Sequence, residues 1–190
     1  MDKIIEISHL VKTFGDLRAV DDLSFAVERG ELFAFLGVNG AGKSTTISIM
    51  CGTQSKDSGT VILDGKNVDT DMAAITAKIG VVFQSSALDG CLTVKDNLYA
   101  RAALYGITGE AAKKRVGELE ELLGFGDYFN RTLGKLSGRQ RRRIEVARAL
   151  IHKPEILILD EPTTGLDPQT RKLMWDCLES LRLKRHMTIF

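Results

Sequence analysis

A mixed α/β domain is predicted by three observations. Short apolar and β-branched runs fill the chain up to Phe83, helical periodicity dominates from Thr93 onward, and Ile156 to Leu159 is a continuous apolar run typical of a strand buried on both faces of a parallel sheet. Ile4 to Ile7 and Leu23 to Val27 read as strands. Glu31 to Leu36 reads as a third, running into the glycine-rich stretch Gly37 to Gly42. Ser44 to Cys51 is helical in character. Val61 to Leu63 and Ile79 to Phe83 are further strands, separated by a helical turn carrying Met72, Ala74 and Ile75.

Thr93 with Asp96 three residues on forms a capping box, followed by Leu98, Ala102 and Tyr105 at helical spacing. A second helix carries Ala112, Val116, Leu119 and Leu123 and stops at Gly124. After a loop containing Gly134, Ser137 with Gln140 repeats the capping pattern ahead of Ile144, Ala147, Leu150 and Ile151, and Pro154 is expected to end that helix. Asp167 and Pro168 read as N-cap and first residue of a last helix, whose Leu173, Met174, Cys177, Leu178 and Leu181 form one apolar stripe.

Length and composition bound the function. At 190 residues the chain is expected to form one domain, and 44% hydrophobic residues with only three prolines leave no room for a long disordered tract. Lys plus Arg is 26 against 25 for Asp plus Glu, so no global charge draws it to nucleic acid or anionic lipid. Leu32 to Leu36 and similar apolar runs fall far short of the ~20 residues a membrane span needs. The start, MDKIIEISHL, has no apolar signal-peptide core, so the cytoplasm is expected. Cys51, Cys91 and Cys177 are too scattered for a disulfide framework or zinc site and are expected to be reduced and mostly buried. His9, His152 and His186 are equally dispersed and read as surface or structural histidines.

Two motifs carry chemistry. Gly37-Val38-Asn39-Gly40-Ala41-Gly42-Lys43-Ser44 fits G-x-x-x-x-G-K-[ST], preceded by a strand and followed by a helix. Glycines let the backbone curl so that successive N–H groups face one concavity, where phosphate oxygens meet a helix N-terminus. Lys43 can reach the outer phosphates of a nucleotide and the Ser44 hydroxyl can ligate Mg²⁺. The candidate phosphate contacts are Gly37, Asn39, Gly40, Ala41, Gly42, Lys43, Ser44 and Thr45. The second motif is the apolar strand ending in Asp160-Glu161. It places two acids at the sheet's carboxyl edge, from which the phosphate loop also rises. Asp160 suits a Mg²⁺ shell and Glu161 suits a base for attacking water.

Four further stretches resemble the ATP-binding cassette (ABC) family. Leu136-Ser137-Gly138-Arg139-Gln140 resembles its LSGGQ signature, Thr163-Thr164-Gly165-Leu166-Asp167 its D-loop, Gln84 its Q-loop glutamine, and Phe14 the aromatic that stacks on adenine. The resemblance implies a P-loop NTPase fold with a mixed sheet core, antiparallel strands at the N-terminal side and an inserted α-helical subdomain at about 93–151. It implies ATP and Mg²⁺ as cofactors, with Ser44, Gln84 and Asp160 toward the metal and Glu161 and Gln84 catalytic. It further implies a head-to-tail dimer in which Ser137, Gly138, Gln140 and Asp167 meet the partner's nucleotide. Val82 to Leu92 and Glu161 to Pro168 are most similar to the drug- and antibiotic-export branch, implying a membrane-spanning permease partner and a peripheral place on the inner face of the cell membrane.

The alternatives are a soluble cassette ATPase of the ribosome or DNA repair, and a nucleotide-binding module that does not hydrolyse. Two departures bear on the latter. Arg139 replaces the signature's second glycine, where a long side chain crowds the partner's nucleotide, and Val38 replaces a usual proline. The sequence also stops at Phe190, before the position of the family's switch histidine. The expectation is therefore ATP binding with hydrolysis near background, and an uncovered sheet edge at Ile189 and Phe190. Arg141, Arg142 and Arg143, with Glu145 nearby and no interleaved aromatics, read as a solvated helix face, not a nucleic-acid surface.

Overall fold

The computed structural model describes residues 2–38, 40–84, 86–162 and 168–190; the side chains at 169, 170, 173, 177, 184 and 185 lie outside the description, and with them the stripe positions 173 and 177. Two sheets form. The first is antiparallel, in the order β2-β1-β3-β4, from β1 (Lys3–Phe14), β2 (Leu17–Glu28), β3 (Ser58–Leu63) and β4 (Lys66–Asn67). The second is parallel, in the order β5-β6-β7, from β5 (Ile79–Val82), β6 (Ile156–Leu159) and β7 (Thr188–Ile189). The expected antiparallel N-terminal strands and mixed architecture are thus observed, with β1 and β2 longer than their apolar centres suggest.

The parallel sheet is the wall between two cores. Along β6 successive side chains face opposite ways. Ile156 and Ile158 pack with Ile4, Ile7 and Leu10 of β1 and with Ile47 and Met50, while Leu157 and Leu159 join the helical core. The first core is filled by α1 (Lys43–Met50), which lies between the sheets. The second holds α3 (Val94–Leu104), α4 (Gly109–Leu123), α5 (Gly138–Leu150) and α6 (Pro168–Arg185); α2 (Met72–Thr76) is the predicted single turn. Both capping boxes form, Thr93 with Asp96 and Ser137 with Gln140. Gly124 ends α4 in the left-handed conformation, at φ 63°, which satisfies a helix-end carbonyl without a Cβ penalty.

Four expectations are corrected. Glu31 to Leu36 is not a regular strand: only Leu32 bridges to Ile189, with the Phe33 N–H donating to the Ile189 carbonyl at 2.8 Å. Among the described residues, Ala34 to Leu36 make no ladder hydrogen bonds. The same contact covers the edge expected to be open. Ile189 and Phe190 are buried, and Phe190 stacks on Phe33 and Phe25 at 5.5 and 5.8 Å. α5 ends at Leu150 instead of running to Pro154, because the chain turns through Lys153 at φ 59° to enter β6. Of the two cysteines whose side chains are described, Cys51 is half-buried and Cys91 is exposed, against the expected burial; burial and the nearby Asp160 charge push the Cys51 thiol up to about 12.

The two sheets are also locked electrostatically, away from the phosphate loop. Arg29, following β2, donates to Asp2, Asp64 and Glu155, and Lys78 pairs with Asp64 and Glu155. The Lys78 hydrogen bond, ahead of that from Arg29, holds the Asp64 carboxyl below its ordinary range. A lowered carboxylate contributes stability above its unfolded pKa and loses it as pH falls through the folded one. Asp64→Asn is therefore expected to cost about 1 kcal/mol at pH 7, or about 2–4 °C in thermal midpoint. That deficit should shrink as the pH is taken below about 4. A deficit constant between pH 7 and 3 in thermal melts would refute the assignment.

Candidate active site

The loop before α1 is shaped by conformation rather than by side-chain capping. Gly42 sits at φ 77°, the helix has no side-chain cap at its start, and no acid lies in its first turn. The first N–H groups of a helix have no intrahelical acceptor and carry the positive end of its dipole, so this end is chemically suited to an anion. Thr46 is buried and its hydroxyl donates to the Gly42 carbonyl at 2.9 Å, fixing the loop to the helix. Lys43 Nζ turns back onto the loop, donating to the Gly37 and Val38 carbonyls at 2.6 and 2.9 Å, and the Ala41 N–H donates to the Val38 carbonyl. The ammonium is thereby held over the concavity. Gly40 and Ala41 are exposed and Thr45 is half-buried on α1, while Asn39 lies outside the described residues.

Parallel pairing brings the other groups to the same edge. Val82 of β5 stands opposite Leu159 of β6, and the Asp160 N–H donates to the Val82 carbonyl at 2.9 Å. Gln84 and Glu161, each two residues past these strands, consequently meet: Gln84 Nε2 donates to Glu161 Oε2 at 3.2 Å. Glu161 adopts φ 47°, a left-handed conformation that costs a non-glycine residue energy and is common where a side chain is held for function. Ser44 Oγ lies 3.3 Å from Asp160 Oδ1, so a hydroxyl and a carboxylate oxygen stand together, a donor set suited to a hard divalent cation. A cavity of about 270 Å³ opens beside these groups; its lining is mostly apolar, from Leu32 to Leu36, Ile47, Leu159, Ile189 and Phe190, with Lys43, Asp160 and Glu161 among it. The residues present thus fit both a phosphate chain and a magnesium ion.

Other predicted residues sit further out. Phe14, 45% exposed at the end of the β1–β2 hairpin, has Lys12 Nζ over its ring at 5.3 Å and presents a free aromatic face. Ser137 and Gly138 are exposed at the head of α5, where Ser137 and Gln140 cap each other, and among the described residues no hydrogen bond joins them to the phosphate loop. Asp167 and the rest of 163–167 lie outside the described residues.

The arginine cluster is corrected. Arg142 is only 8% exposed: Nη1 donates to the Phe83 carbonyl at 2.9 Å and to Glu145 at 2.7 Å, and Nε donates to the Pro162 carbonyl at 3.1 Å. The signal for this was its spacing, since Arg142 shares the i, i+4 stripe of buried Val146 and Leu150. His152 does behave as a structural histidine, stacked on Tyr105 with ring centroids 4.0 Å apart, and burial lowers its pKa to about 4.

The family model described as ABC transporter matches residues 20–164. The chain belongs to the ABC transporter family. Among curated relatives, Nod factor export ATP-binding protein I of Burkholderia orbicola (strain AU 1054) is 42% identical over 97% of this chain and 60% of its own length. Linearmycin resistance ATP-binding protein LnrL of Bacillus subtilis (strain 168) is 39% identical over 94% and 57%. The chain thus spans about three-fifths of the length of these relatives. The structure of cbiO1 from Clostridium perfringens, part of the ABC transporter complex cbiONQ, superposes with a TM-score of 0.90 at 29% identity, covering all of this chain and 77% of that one. The ADP conformation of MJ1267, an ATP-binding cassette of an ABC transporter, gives 0.87 at 25% identity. Among the described residues of this family member no helix is long and apolar enough to cross a membrane.

Proposed function

We propose that this family member is the ATP-binding and ATP-hydrolysing subunit of an exporter, acting on a separate membrane-spanning permease from the cytoplasmic face. The observation that carries the reading is the meeting of Ser44 with Asp160 and of Gln84 with Glu161 beside the uncapped start of α1. The α1 N-terminus and Lys43 bind the phosphates, and Phe14 offers its exposed ring to the adenine. Ser44 and Asp160 hold Mg²⁺, which supplies charge neutralisation across the outer phosphates. Gln84 serves both sides: its amide nitrogen donates to Glu161, leaving its carbonyl oxygen to the cation. Glu161 takes the proton of the attacking water.

Ser137, Gly138, Gln140 and Asp167 close the site of a second copy paired head to tail, the helices between 93 and 151 form the α-helical subdomain, and the region around Gln84 faces the permease. The names of the relatives, Nod factor export and linearmycin resistance ATP-binding proteins, support outward transport.

Asp160→Asn tests the reading. Losing even an outer-shell partner of a metal costs about 10–100-fold in metal affinity, so a direct ligand costs at least that. ATP affinity of the variant, measured with a fluorescent nucleotide, should be the same in magnesium and in chelator, whereas the parent binds more tightly in magnesium. A variant that retains the full magnesium effect would remove Asp160 from the site.

A further inference from the structure

We infer that Arg142 is a positioning residue that ties the head of α5 to the two segments carrying Gln84 and Glu161, and so makes pairing of two chains depend on the catalytic end of each. This rests on the ATP-dependent head-to-tail pairing proposed above. The geometry is specific. One guanidinium, rooted in α5 a single turn after Gly138, holds the carbonyl of Phe83 at 2.9 Å and that of Pro162 at 3.1 Å. Phe83 immediately precedes Gln84 and Pro162 immediately follows Glu161, so Arg142 fixes the backbone on both sides of the Gln84–Glu161 contact.

Packing alone does not account for this residue. A buried guanidinium loses its hydration, and here one nitrogen, Nη2, is buried without a hydrogen-bond partner among the described residues. Replacing a buried ion pair by apolar groups of similar volume is often neutral or stabilising. Arg142 and Glu145, with side chains 10% and 11% exposed, form such a pair, so a cation at this position serves geometry more than stability.

A rigid link between these two places has a mechanistic consequence. In a head-to-tail pair the start of α5 meets the partner's nucleotide, whereas Gln84 and Glu161 meet the chain's own. Displacing α5 by contact with the partner would move Phe83 and Pro162 through the two carbonyl hydrogen bonds, so each chain's catalytic pair would report on the other's occupied site. The phosphate loop lies against β2 and is bonded to α1, and among the described residues no hydrogen bond joins it to Arg142, so nucleotide binding by a single chain is left outside this link.

The test uses the 190-residue chain carrying Glu161→Gln to block hydrolysis, with self-association in saturating Mg-ATP read by sedimentation velocity and single-chain affinity read by fluorescent-nucleotide titration. In that background Arg142→Met with Glu145→Gln removes the link while filling its volume, and Arg142→Lys keeps a cation that reaches one carbonyl. Because one hydrogen bond to a charged group is worth about tenfold in an equilibrium constant, the double change should weaken pairing by about tenfold or more and the lysine variant by less. Nucleotide affinity should stay at the parental value in both. Pairing unchanged from the parent overturns the inference, as does a parallel fall in nucleotide affinity, which would make Arg142 part of the binding fold. A parent that binds ATP but stays monomeric also overturns it, whereas a parent that binds no ATP overturns the proposed function itself.

Discussion

Lys43→Ala is expected to abolish measurable ATP binding. The ammonium donates to the Gly37 and Val38 carbonyls and so is held over the loop, from which it would donate to the outer phosphates of a bound nucleotide. Each hydrogen bond between charged groups is worth about 1.5–3 kcal/mol, so losing two raises the dissociation constant by about 100-fold or more. The basic residues Lys12 and Arg18 of the β1–β2 hairpin are engaged with Asp57 and Asp21, at 2.9 and 3.1 Å. The substitution removes no buried group, so the thermal midpoint in the absence of nucleotide should stay close to the parent's while the upward shift produced by Mg-ATP disappears. Equal affinities of the two forms in a fluorescent-nucleotide titration would show that the loop does not bind phosphate.

What the sequence disclosed and what it withheld divide along a physical line. Features decided locally were legible. The capping boxes at Thr93 and Ser137 depend on a few consecutive residues, the glycine stop at Gly124 on one, and the buried strand Ile156–Leu159 on its own composition. The approach of the phosphate loop to Asp160 was legible from the two motifs although 116 residues separate Ser44 from Asp160, whereas Gln84, 77 residues before Glu161, was read only from the family resemblance.

Features decided by a neighbour were not. Glu31 to Leu36 has a strand's composition, yet among the described residues its ladder contacts are confined to Glu31, Leu32 and Phe33, and composition alone does not say which residues pair. Arg142 reads as solvated because charge is the usual mark of a surface; its burial is made tolerable by Glu145 in the same helix and by the carbonyls of Phe83 and Pro162, distant in sequence. The Arg29 network was equally hidden, since its acids come from the chain start, the β3–β4 turn and the head of β6.

Gly42→Ala is expected to damage both the fold and the site, through a different route from Lys43→Ala. Gly42 adopts φ 77°, where a Cβ costs about 1–2 kcal/mol. An added Cβ would also stand 2.3 Å from the Ala19 carbonyl oxygen and 3.0 Å from Val20 Cγ2, so β2 or the loop must move. The obstacle is backbone, which cannot swing aside as a side-chain tip can, and overpacking of this kind costs about 1–3 kcal/mol. The two contributions together predict a loss of about 3 kcal/mol, or a fall of about 6–12 °C in thermal midpoint for a chain of this size. Because the displaced residue is the N-cap of α1, the helix N–H groups and Lys43 shift with it, and ATP binding is lost as well. Gly40→Ala separates conformation from crowding: Gly40 sits at φ 87° with no atom within 4 Å of its added Cβ, so it should cost only the conformational part, about 1–2 kcal/mol. Equal thermal midpoints for the two alanine variants would show that the close approach of the loop to β2 does not exist in solution.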